Sequence, residues 1–116
     1  MKKTLVMTTL MTALMVMPMA RGATLDYKKE GAICDRKAGF CADSEGVSVA
    51  LTKMYLGDKA QAKLMAQINA VGLESFDAST FTMSGGLTCK AKEKTCWTSR
   101  IANKVDAKAT KVLFGN

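Results

Sequence analysis

Four cysteines at two identical spacings limit what this chain can become more than any other feature. Six residues separate Cys34 from Cys41, and six separate Cys89 from Cys96. An even count in an exported chain implies two disulfides, for which three connectivities exist. Residues seven apart sit opposite each other across an antiparallel hairpin with a two-residue turn. Their β-carbons are then roughly 4.5–5.5 Å apart, close to what a disulfide requires. The predicted bridges are therefore Cys34–Cys41 and Cys89–Cys96, each stabilising by about 2–3 kcal/mol on the chain-entropy model. Neither metal binding nor redox catalysis fits. Zinc sites space paired ligands closer, the chain has no His, and catalytic dithiols keep two residues between their sulfurs.

The export premise comes from the N-terminus. Lys2 and Lys3 precede an apolar run from Leu5 to Met17, and Pro18 ends it. Cleavage after Gly22 places small residues, Gly22 and Ala20, where a signal peptidase needs them. The expected product is a periplasmic chain starting at Ala23, forming one disulfide-stabilised domain over residues 23–116. The apolar run is shorter than the ~20 residues of a membrane span, so no span is expected after cleavage. Six of the nine Met residues precede the cut, so the Met enrichment marks no copper site. The cut also removes Lys2, Lys3 and Arg21, which leaves 14 basic against 10 acidic residues, a net charge of +4. That excess is too small to indicate nucleic-acid binding. A domain this small gains appreciably from covalent staples.

The spacing match extends beyond the cysteines. Gly31, Cys34 and Cys41 recur 55 residues later as Gly86, Cys89 and Cys96. Thr52-Lys53-Met54-Tyr55-Leu56-Gly57 resembles Thr110-Lys111-Val112-Leu113-Phe114-Gly115 at an offset of 58. This pattern suggests two related units packed about a pseudo-twofold axis, with chance similarity as the alternative. Between them, Ala60, Leu64, Ile68 and Val71 fall on one face at helical spacing. The predicted helix is Asp58 to Val71, with Asp58 and Gln61 as a capping box and Gly72 as its stop. Val47–Leu51 reads as a strand, Thr52–Leu56 as one helical turn, and Phe81–Met83 as a strand. The last segment has two readings: a helix through Ile101, Val105, Ala109 and Val112 capped by Ser99, or a strand over 101–105 followed by a short turn ending at Gly115. The repeat favours the second. The fold class is α+β, a small antiparallel sheet of two disulfide-clipped hairpins with one main helix.

Several motifs together resemble a known family. They are Gly31-x-x-Cys34-Asp35, Phe40-Cys41-Ala42-Asp43, Gly46-Val47-Ser48, Leu51-Thr52-x-x-Tyr55-Leu56-Gly57 and Phe76-Asp77-x-x-x-Phe81-Thr82. The chain is similar to the Fels prophage protein-like (YcgJ-type) family of small exported enterobacterial proteins. It departs from that pattern at residues 103–108, where a Gly-containing basic turn is expected. The resemblance implies export and disulfides, and it implies no particular activity.

Candidate functional residues are few. Arg36 and Lys37 on the first hairpin turn, and Lys90, Lys92 and Lys94 on the second, are candidates for anion binding if both turns lie on one side. The competing reading is that these side chains keep exposed edges soluble. Trp97 and Tyr27 are candidate contact residues, with core packing the competing role for each. Asp35, Asp43, Glu74 and Asp77 read as surface carboxylates. With no His, no free thiol and no nucleophile motif, no catalytic residue is assigned, and no cofactor is expected. The expected function is a non-enzymatic binding or interaction module acting on a periplasmic protein or an anionic envelope component. An inhibitor or immunity factor is one form of it. The alternatives are a small envelope hydrolase and a structural or stress-related envelope protein without a discrete ligand.

Overall fold

Short strands and tight turns dominate the chain, as the hairpin spacing predicts. The structure is a computed structural model that describes residues 24–101 and 103–115. The export segment and its cut after Gly22 lie outside the described residues. Strands β1 (Leu25–Lys28), β2 (Ala32–Asp35), β3 (Phe40–Asp43) and β4 (Gly46–Ser48) form an antiparallel meander in sequential order. Helices α1 (Val49–Leu56) and α2 (Asp58–Val71) follow. A second sheet, β5 (Thr80–Thr82), β6 (Thr88–Lys90) and β7 (Thr95–Trp97), is also antiparallel, and α3 (Ala107–Phe114) ends the described chain. The α+β class holds, with two sheets in place of one and two eight-residue helices beside the main one.

Both disulfides join the predicted pairs, Cys34–Cys41 and Cys89–Cys96, across directly opposed positions with Cα atoms 4.0 Å apart. Each hairpin loop has four residues, because pairing stops at Asp35↔Phe40 and at Lys90↔Thr95. In the first loop, Asp35 accepts bonds from the Lys37 and Ala38 amides (both 3.0 Å), which closes a wider turn than a two-residue one.

Local capping explains where the helices begin. The Ser48 hydroxyl accepts from the Leu51 amide at 3.0 Å, so α1 starts at Val49, and the expected strand over 47–51 ends at Ser48. Asp58 lies inside α2, whose cap is Gly57 with no side-chain bond, so the expected capping box is absent. At the C-terminus, Asp106 caps α3 through the Ala109 amide (3.0 Å), while Ser99 instead bonds Asn103. The helical reading with a Ser99 cap is thereby corrected. The expected strand reduces to one bridge, Trp97↔Val105, and the final turn is a full helix.

The repeat is visible in the backbone. Cys41↔Ser48 and Ala42↔Val47 in the first unit correspond to the Asp106–Cys96 amide bond and the Trp97↔Val105 bridge in the second. In each unit, a buried threonine of the following helix accepts the amide of the second cysteine. Thr52 Oγ1 takes Cys41 N at 2.9 Å, and Thr110 Oγ1 takes Cys96 N at 2.9 Å. Each hydroxyl also donates to a carbonyl, Ser48 O (2.7 Å) and Cys96 O (3.3 Å) respectively. Replacing either threonine by valine strands a buried amide, which costs about 1–3 kcal/mol. The expected result is a similar drop in urea midpoint for Thr52→Val and Thr110→Val, with unchanged slope.

The packing of the two units is not twofold. Helix α3 packs on β7 and also on β1 and β2, whereas α1 packs on β3 and α2. Ile33 and Ala42 of the first sheet join Phe81, Cys89 and Cys96 of the second, with Ala109 and Leu113 of α3, in the principal core. The helix of the second unit therefore fills the space between the sheets, in a head-to-tail arrangement.

Candidate functional site

Asp35 is the residue that sequence reasoning most misjudged. It is fully buried, and its carboxylate gathers four donors. Besides the two loop amides, the Ser84 amide (2.7 Å) and the Ser84 hydroxyl (3.0 Å) reach it across a separation of 49 residues. Only the Gly-rich turn that follows β5 hinted at such a partner. The carboxylate thus ties the first hairpin tip to the second unit. Asn keeps one acceptor oxygen and brings an amide to face donors, so Asp35→Asn is expected to cost about 2–3 kcal/mol. A thermal melt of the oxidised chain checks this.

The same bond network places the two hairpin tips. The C-terminal side of β5, at Ser84, abuts the root of the first tip. The N-terminal side abuts the second tip through the Ala91 amide on Ser79 O (2.7 Å). The tips therefore lie at opposite ends of β5, and the structure does not bring Arg36 and Lys37 together with Lys90, Lys92 and Lys94. The three lysines also form no extended stripe. Ala91–Glu93 is a turn of 3₁₀ helix, and Lys94 has a left-handed backbone (φ 51°). Lys90 pairs with Glu93 (3.9 Å) and lies 5.7 Å from the Trp97 ring centre. Trp97 is half-buried on the outer face of the second sheet, beside exposed Val105. Tyr27 is half-buried against the principal core, with the Lys108 ammonium 4.2 Å above its ring.

The first tip meets α2 in a recess of about 220 Å³ walled by Arg36, Lys37, Lys63, Leu64 and Gln67. Arg36 is bonded to Asp26, and this bond holds the Asp26 carboxyl below the usual carboxylate range. Lys37 and Lys63 make no ion pair among the described residues. Beside this recess lies an apolar bay of about 200 Å³, lined by Phe40, Val47, Phe76 and Phe81. Leu64 and Gln67 border both hollows, so the two form one groove along α2. Phe40 and Phe81 meet edge to face, with centroids 6.1 Å apart, and fix the floor of the bay.

The third wall is β5. Asp77 starts the turn before it, accepting the Ser79 hydroxyl (2.6 Å) and amide (3.0 Å). The hydroxyl bond, followed by the amide bond, lowers the Asp77 carboxyl below its ordinary range. Among the described residues, no carboxylate lines either hollow. Among the described residues, no cluster of three His, Cys, Asp or Glu could hold a metal, and no helix is long and apolar enough to cross a membrane.

Comparison with known proteins fits the motifs. The profile of the YcgJ protein family matches residues 25–114. The chain is 35% identical over 91 residues to a protein of Escherichia coli (strain K12) described as "Uncharacterized protein YcgJ", covering 72% of this chain and 68% of the relative. No solved structure matches it.

Proposed function

The chain belongs to the YcgJ family, and on that premise we propose that it is a non-enzymatic binding module of the periplasm. The groove along α2 carries this reading. It joins three phenylalanine rings to a cationic end, and it presents groups that hold a ligand by burial and charge. No carboxylate or thiol of the described residues lines it. Asp35 is saturated by donors, and all four cysteines are bonded. Two fully buried disulfides suit an oxidising compartment, in keeping with the export segment of the sequence.

The test is an amide-NMR experiment on the isotope-labelled oxidised chain, titrated with periplasmic and envelope extract. Shifts are expected at Lys63, Leu64, Gln67 and Phe76, with the bound material recovered chemically unchanged. Shifts confined to other faces, or recovery of a hydrolysed product, would overturn the reading.

A further inference from the structure

The recess and the bay are each smaller than an ordinary ligand pocket, which begins near ~300 Å³, and together they exceed that size. They share Leu64 and Gln67, so one ligand can occupy both. The bay is preformed, because its two sides are bonded to each other. Val47 N donates to Ala78 O (2.8 Å), which ties β4 to the segment entering β5, and Ser84 N donates to Asp35 at the far end of β5 (2.7 Å). Phe40, Val47 and Phe76 are only half-buried in it, so a ligand gains by covering the apolar surface they still expose.

Resting on the binding-module reading, we propose that the groove takes a monomeric fatty acid, its carboxylate in the cationic recess and its one acyl chain laid past Leu64 and Gln67 into the bay. The charge follows from Lys37 and Lys63, which are exposed and make no ion pair among the described residues. The single chain follows from the volume. The bay, about 200 Å³, is little larger than the apolar cavity of about 150 Å³ that admits one benzene ring. It has no room for the two chains of a phospholipid. The length follows from α2. From Ala60 at the recess to Gln67 at the bay is seven residues, or about 10 Å of helix. An alkyl chain of C–C bonds near 1.5 Å advances about 1.3 Å per bond, so about eight carbons span that length. A membrane surface fits less well, because it is gripped by protruding apolar side chains. The exposed Met54, Val71, Leu73, Ile101 and Val105 line neither hollow.

The experiment follows amide shifts of the isotope-labelled, oxidised mature chain titrated with alkanoates from butanoate to dodecanoate, below their micellar concentrations. Shifts are expected at Lys63, Leu64, Gln67 and Phe76. Affinity should rise by up to about fourfold per added methylene and level off at about eight to ten carbons, where the bay is full. Decanol has the same chain without the charge and should bind about tenfold more weakly than decanoate. Lys37→Gln with Lys63→Gln alters only exposed side chains, and it should remove that difference and flatten the salt dependence. Affinity indifferent to chain length, or a preference for decanoate over decanol that survives the loss of both lysines, would overturn the proposal. So would binding to phosphatidylglycerol vesicles with no response to monomeric decanoate. If the extract still shifts the groove amides while every alkanoate fails, the fatty-acid proposal falls and the binding module stands; if both fail, both fall.

Discussion

Replacing all four cysteines by alanine is expected to leave the mature chain largely unfolded in the absence of denaturant. Each bridge closes an eight-residue loop, and two such loops contribute about 5 kcal/mol through the unfolded chain. A small domain has only about 5–15 kcal/mol in total. The two bridges are not equivalent. Cys89 and Cys96 belong to the principal core beside Phe81 and Ala109, whereas Cys34 and Cys41 are buried outside that cluster. Removing the Cys89–Cys96 pair alone should therefore cost more than removing the Cys34–Cys41 pair, because it also empties part of the shared core. Near-ultraviolet circular dichroism and urea titration of the three variants check the order. Equal midpoints for the two paired variants would contradict it.

Gly46→Ala is expected to be nearly as damaging, for a different reason. Gly46 opens β4 with φ +116°, in a region that disfavours side chains. A β-carbon there would lie 2.0 Å from Ala78 O and 2.6 Å from Ala78 C. Both atoms are backbone, and the neighbouring Val47 amide bonds that same Ala78 oxygen at 2.8 Å. Relief would require parting the first sheet from the segment leading into β5, which frames the groove. The expected loss is about 3–5 kcal/mol, combining left-handed strain with overpacking. Gly39→Ala is the control: its φ is +86°, but nothing lies within 4 Å of the added carbon. It should cost only about 1–2 kcal/mol. Equal urea midpoints for the two variants would show that the close approach at Gly46 carries no weight.

What could be read in the sequence was local and periodic. The disulfide pairing followed from a spacing of seven, and α2 followed from apolar residues on one helical face ending at Gly72. The offset of 58 between Thr52 and Thr110 marked two helices that put the same hydroxyl on the same cysteine amide. What could not be read depended on contacts between distant segments. Asp35 read as a surface carboxylate because its partner, Ser84, is 49 residues away. The head-to-tail packing was hidden because similar units can stack in either sense, and only the position of α3 decides. The groove was hidden for the same reason. Its phenylalanines come from two distant segments, Phe40 from one and Phe76 and Phe81 from the other, and its second lysine, Lys63, sits on a helix face that reads as solvated. Arg36 and Lys37 were singled out from the sequence, and the structure places them with Lys63 instead of with the distant lysines of the second tip.

The proposed binding site is the groove along α2, and Gln67 gives direct access to it. Gln67 is exposed and borders both hollows, so a larger side chain there fills the groove without entering the core. The decisive measurement compares the wild-type chain with Gln67→Trp for retention of ligand from envelope extract, alongside thermal melts of both. An unchanged melting temperature and at least about a tenfold loss of retention are expected. Full retention by a folded Gln67→Trp variant would rule out the groove as the binding site.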